Sequence, residues 1–159
     1  MILIREFKKA DIDQVLQLYK NTTLIIIRKD YTEEQVKRWA AKGENKNGWL
    51  ERIESEFYVL VAEIDNAIVG FGEINDSGFI DNFYIHHDHL GKGIGKKIMM
   101  GLEAKAKQNK NNKIYANVSV TAFVFFKKMG FSITKTNVFT VCESPAVQYE
   151  MEKKFKKIK

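Results

Sequence analysis

Apolar and polar residues alternate from Ile2 to Phe7, a two-residue period that predicts a first strand. The period then lengthens. Ile12, Val15, Leu16 and Tyr19 fall three and four apart, so a helix with one apolar face follows over 10–19. Thr32-Glu33-Glu34-Gln35 has the form of a capping box ahead of Val36, Trp39 and Ala40, and a second helix is expected there. The polar stretch 42–48, with Gly43 and Gly48, reads as a loop. Residues 57–64 and 67–74 are aromatic and β-branched runs joined by Asp65-Asn66, whose side chains tolerate positive φ, so a tight hairpin is predicted. Asn75-Asp76-Ser77-Gly78 makes a further turn, and 79–85 extends the meander. A glycine-rich loop leads into a helix over 94–107 with Ile94, Ile98, Leu102 and Lys105 along one face. A strand over 113–118, a short helix over 121–129 stopped by Gly130, and strands over 131–141 and 146–151 complete the pattern, with Pro145 placed in the last turn. The order predicts an α+β protein, one domain over 1–159, without internal repeats.

Composition narrows the setting. The chain has 159 residues and one cysteine, Cys142, which excludes an intramolecular disulfide and reads as a small buried hydrophobe in a reducing, cytoplasmic environment. No apolar run approaches the ~20 residues of a membrane span, and the N-terminal residues lack the pattern of a secretory leader, so a soluble protein is expected. The net charge of +6 is concentrated in 105–110 and in the tail 153–159. These runs read as a solvated helix face and a frayed terminus rather than as a nucleic-acid or membrane surface.

The stretch 85–97, Ile-His-His-Asp-His-Leu-Gly-Lys-Gly-Ile-Gly-Lys-Lys, carries the candidate chemistry. A strand ends, Gly91, Gly93 and Gly95 alternate through a loop, and a helix begins. Glycines let the backbone approach phosphate oxygens, and the free N–H groups and dipole of a helix start attract anions. A P-loop would need a hydroxyl after Gly95-Lys96, where Lys97 stands, and a dinucleotide fingerprint would need glycine at Lys96. Both readings fail. His86, His87 and His89 beside Asp88 suggest a metal site, but neighbouring side chains at a strand end are expected to diverge, so no metal is assigned. Cys142 lacks a recognisable partner for nucleophilic catalysis.

Leu90-Gly91-Lys92-Gly93-Ile94-Gly95 resembles the Gln/Arg-x-x-Gly-x-Gly/Ala signature of the GNAT (GCN5-related N-acetyltransferase) superfamily, with Leu90 where a Gln or Arg is usual. Phe125-Phe126-Lys127-Lys128-Met129-Gly130-Phe131 resembles the family's Phe-Tyr-x-x-x-Gly-Phe, and Tyr31-Thr32-Glu33-Glu34-Gln35 followed by Trp39 resembles a bacterial branch. The resemblance implies a GNAT fold, one central, mostly antiparallel, twisted sheet of about six or seven strands flanked by about four helices. It also implies an enzyme that moves an acetyl group from acetyl-CoA directly to an amine of a small molecule or peptide. The backbone of Phe83, Tyr84 and Ile85 would pair with the pantetheine arm. Leu90, Gly91, Lys92, Gly93, Ile94, Gly95 and Lys96 would surround the pyrophosphate, and Phe126 would line the cofactor site. An exposed edge strand or the terminal hairpin would be the place for a homodimer.

Amine acetylation needs a group that accepts the nucleophile's proton, and Asp81 and Glu73 are the candidate bases, each with a plain cross-strand polar role as the competing reading. Phe126 stands where the family often carries an acid Tyr, so Tyr84, Tyr115, Tyr149 or water would replace it. That substitution also keeps open an acetyl-CoA-binding sensor with little turnover. Tyr31, Trp39 and Trp49 fall in the region of the acceptor cleft, with Trp39 expected to pack on the sheet instead.

Overall fold

The computed structural model describes residues 1–157, so Ile158 and Lys159 of the basic tail lie outside the described residues. Seven strands form one sheet: β1 (Leu3–Glu6), β2 (Phe57–Ile64), β3 (Ala67–Asn75), β4 (Phe79–Ile85), β5 (Lys113–Ser119), β6 (Ser132–Val141) and β7 (Ser144–Lys154). Their spatial order is β1-β2-β3-β4-β5-β7-β6, and every pair is antiparallel except β4 and β5. The helices are α1 (Ile12–Ile25), α2 (Glu33–Ala41), α3 (Lys46–Glu56), α4 (Ile94–Gln108) and α5 (Phe123–Lys128). This is the α+β architecture expected, with one helix more than the sequence pattern gave.

The extra helix is α3. Gly48 and the Asn- and Lys-rich start of this segment disguised a helix that begins where Asn45 caps it, its side chain accepting from the Gly48 N–H at 3.1 Å. Pro145 also moves: it lies inside β7 opposite Thr140, and the turn is Cys142-Glu143, both at positive φ (51° and 62°). Cys142 is therefore a partly exposed turn residue and not a core hydrophobe. The Asp65-Asn66 hairpin forms as expected, with φ of 49° and 67°, and the Thr32–Gln35 box closes in both directions at 3.1 and 3.2 Å.

Strand β2 is buried on both faces because helices cover both sides of the sheet. Leu60 and Ala62 join the core beneath α4, with Ile98 and Leu102, whereas Val59 and Val61 face α1 and α3, with Val15, Trp49 and Ile53. Gly101 lets α4 sit directly on the sheet, since a Cβ there would lie 2.4 Å from Leu60 Cδ1. Lys105, expected on the buried face of α4, lies at its margin with its ammonium over the Tyr58 ring at 4.9 Å.

Two irregularities shape the centre of the sheet. The β3–β4 register shifts between Gly72 and Ile74, leaving Glu73 opposite a bulge that carries Asp81 and Asn82. The parallel ladder between β4 and β5 ends after Ile80 and Ala116. From there the two strands separate, and the backbone of 81–85 faces a cleft on its β5 side.

Candidate active site

The cleft opens into a cavity of about 770 Å³ bounded by the free edge of β4, the 116–119 segment of β5, the glycine loop, and aromatic side chains from α1 to α3. Buried backbone groups are almost always paired, so a strand edge left open inside a fold is a place for a ligand's own donors and acceptors.

At one end lies the glycine loop. Gly91 and Gly93 have φ of +74° and +80°, and no atom lies within 4 Å of a Cβ built on either. Gly93 is the N-cap residue of α4 and gives it no side-chain cap, so the first N–H groups of the helix, those of Ile94, Gly95 and Lys96, have no intrahelical acceptor. Lys92 and Lys96 are exposed beside them. Ile94 itself is 1% exposed and anchors the helix in the core, so only its backbone faces the loop. Gly95 serves a different need from its neighbours: a Cβ would sit 2.9 Å from the Phe125 ring, and its absence lets α5 close against α4. Leu90 is 53% exposed at the loop's edge and offers no polar contact. A cradle open to solvent, lined by N–H groups and flanked by lysines, fits a pyrophosphate.

Along the cavity, Phe83 packs against Phe125 and Phe126 at ring distances of 5.2 and 6.0 Å. Tyr84 points to the opposite face from Phe83 and stacks on Phe71. Phe126 is buried against Phe83 and Phe131. Of the three tyrosines weighed as proton donors, Tyr84 lines the cavity, and burial pushes its hydroxyl well above the usual tyrosine range. Tyr115 is spent on Ser77 Oγ at 2.8 Å, and Tyr149 packs on Phe123.

At the other end the two candidate carboxylates are brought together by a residue the sequence reading missed. Arg52 of α3 sends Nη1 to Asp81 Oδ2 at 2.9 Å and Nη2 to Glu73 at 2.9–3.0 Å. Glu73 is fully buried and also accepts from Asn82 Nδ2 at 3.0 Å. Burial pushes its carboxyl from 4.5 up to about 7 against the opposing pull of Arg52. Asp81 keeps 42% of its side chain exposed and lines the cavity, which Glu73 does not. The signal for Arg52 was present but hidden: once 46–56 is helical, Trp49, Arg52 and Ile53 share one face, and an arginine on an apolar face needs a partner.

The aromatic wall also differs from expectation. Trp39 lines the cavity edge-to-face with Tyr31 at 4.7 Å, whereas Trp49 is the more deeply packed, against Tyr19 and Phe71, with its indole N–H donated to Lys42 O at 2.8 Å. Tyr31 OH takes the Val120 N–H at 2.9 Å and donates to Val147 O at 3.0 Å, tying the α1–α2 connection across the cavity.

The histidines do not diverge as the strand argument required. The rings of His86 and His87 stack at 4.2 Å, with Asp88 carboxylate oxygens 4.0 and 3.5 Å from their nearer nitrogens. A one-turn 3-10 helix bends the chain after β4 and brings the two rings to the same side. One ligand atom from each of His86, His87 and Asp88 lies within 4.8 Å of the others, although His86 Nδ1 already accepts the Asp88 N–H at 3.1 Å.

Residues 27–153 match the family described as the acetyltransferase (GNAT) domain. The chain belongs to the GNAT acetyltransferase family. It is 25% identical over 143 residues to the L-amino acid N-acyltransferase MnaT of Escherichia coli, covering 82% of this chain and 80% of that protein. It is also 25% identical over 145 residues to the L-methionine sulfoximine/L-methionine sulfone acetyltransferase of Salmonella typhimurium, with the same coverage. The fold matches that of the PaiA N-acetyltransferase of Thermoplasma acidophilum in complex with coenzyme A, with a TM-score of 0.82 at 22% identity over 98% of this chain and 99% of that one. The activity of this GNAT protein is N-acetyl transfer with acetyl-CoA as co-substrate. No helix among the described residues is long and apolar enough to cross a membrane.

Proposed function

We propose that the acceptor is a small-molecule amine that enters beside Tyr31 and Trp39 and loses its proton to Asp81. The observation that carries this is the half-exposed Asp81 carboxylate in the cavity, at the start of the open edge of β4. When bound, acetyl-CoA supplies the thioester carbon that the amine attacks. The open edge of 83–85 would pair with the pantetheine amides, and the N–H groups of 91–96 would hold the pyrophosphate. Glu73 is too deeply buried to meet the amine and acts through Arg52. Phe126 has no proton to give, so a leaving thiolate, with an ordinary pKa of ~8.5, would take its proton from Tyr84, which lines the same cavity, or from water.

The names of the two bacterial relatives, both acting on amino acids or their analogues, support a small-molecule acceptor. The co-substrate and the lone cysteine support a cytoplasmic setting. The outer edge of β6 is a long exposed strand, with Ile133, Val138 and Phe139 uncovered, and supports pairing with a second copy.

The test is Asp81→Asn in an assay of free coenzyme release with a panel of amines. We expect kcat to fall on the order of a hundredfold while acetyl-CoA binding is unchanged. A variant within a few fold of wild type would remove Asp81 from the chemistry.

A further inference from the structure

Arg52 stands between two carboxylates and cannot neutralise both. Its guanidinium is held between the rings of Trp49 and Phe57, at 5.1 and 4.7 Å, so its reach is fixed. Glu73 has both oxygens engaged, by Arg52 and by Asn82. Asp81 accepts from Arg52 through Oδ2, and among the described residues Oδ1 has no donor. Once Glu73 is ionised, the three groups carry one uncompensated negative charge at the floor of a cavity walled by Tyr19, Tyr31, Trp39 and Trp49. The other side chains that face this cluster, Tyr19, Tyr84 and Asn82, are neutral. Lys29 and Lys42 also line the cavity, but both are exposed, where solvent and salt screen them.

We propose that the acceptor binds as an ammonium ion that pairs with Asp81 and completes this cluster, so that the substrate class is an aliphatic amine with an apolar or aromatic body, cationic in solution. An aromatic amine, neutral at the same pH, leaves the charge uncompensated. Tyr31 and Trp39 line the same cavity, and an aromatic face turned to it attracts a cation. The inference rests on the acceptor reading given above. The balance is complete. The ammonium gives one proton to Asp81, the amine nitrogen forms the C–N bond as the C–S bond breaks, the nitrogen sheds a second proton, the sulfur takes one, and one proton is released to water.

The experiment is calorimetric binding to the protein saturated with coenzyme A, at about pH 8, where Glu73 is ionised. Three ligands of similar shape serve as probes: phenethylamine, para-ethylaniline and L-phenylalanine. We expect phenethylamine to bind about tenfold more tightly than para-ethylaniline, and Asp81→Asn to erase that preference. Retained coenzyme A affinity shows that the variant is folded. Equal or tighter binding of para-ethylaniline, a preference that survives Asp81→Asn, or failure of phenethylamine to bind overturns the inference. Tighter binding of L-phenylalanine than of phenethylamine also overturns it and assigns Arg52 to an acceptor carboxylate. Binding of the cation without acetyl transfer would keep this inference and sink the proposed chemistry, whereas turnover of para-ethylaniline alone would do the reverse.

Discussion

Replacing Glu73 with Gln isolates one buried charge. The side chain is nearly isosteric, Gln Oε1 can still accept from Arg52, and Asn82 can turn its amide to meet the new NH₂ group. What the variant loses is a titration. Burial raises the native carboxyl from 4.5 to about 7, so across that window the native chain holds a proton that the unfolded chain has released. Stability therefore falls as pH rises through the window, and the full gap is worth about 3 kcal/mol at ~1.36 kcal/mol per pH unit. Between about pH 5 and about pH 8 the wild type should lose about 2.5 kcal/mol relative to Glu73→Gln. Urea unfolding of both proteins at several pH values reads this difference directly, and ionisable groups away from the Arg52 cluster cancel in the comparison. A difference that stays flat to within about 0.5 kcal/mol would refute the reasoning, because Glu73 would then ionise as easily inside the fold as outside.

Gly93→Glu should abolish acetyl-CoA binding by calorimetry, and its left-handed φ of +80° adds about 1–2 kcal/mol of backbone strain visible in urea unfolding. Asp11 receives two bonds from Arg5, at 2.8 and 3.0 Å, and one from the Lys8 N–H, which hold its carboxyl below the ordinary 3.8. Its contribution is therefore complete above that value and fades as pH falls through it. Asp11→Asn should cost about 2 kcal/mol at neutral pH and flatten the acid limb of the stability profile. Tyr31→Phe strands the Val120 N–H and Val147 C=O, so it should raise the KM for the amine and lower stability by about 1–3 kcal/mol, with the acetyl-CoA KM unchanged.

Local chemistry made much of this protein readable in one dimension. The Asp65-Asn66 hairpin, the Thr32–Gln35 box and the glycines at 91 and 93 each depend on what a residue's own backbone can do, and a neighbour two or three positions away is enough to set them. The periodic apolar positions likewise set strand and helix, because burial of one face follows from spacing alone. The same reasoning failed at α3, where Gly48 and a polar start masked a helix whose Trp49, Arg52 and Ile53 gain their meaning from the sheet they touch. It failed again at His86 and His87, whose rings stack because a single turn after β4 bends the chain.

Sequence by itself determined the glycine loop's backbone and the family, since such a loop is made of contiguous residues. Only the tertiary structure decided how the far end of the cavity is built. The parting of β4 from β5, the pairing of Glu73 with Asp81 through Arg52, and the Tyr31 bridge to Val120 and Val147 join segments 21 to 116 residues apart. Which carboxylate is open and which is sealed depends on burial, and burial is a property of the packed molecule that spacing along a chain does not encode.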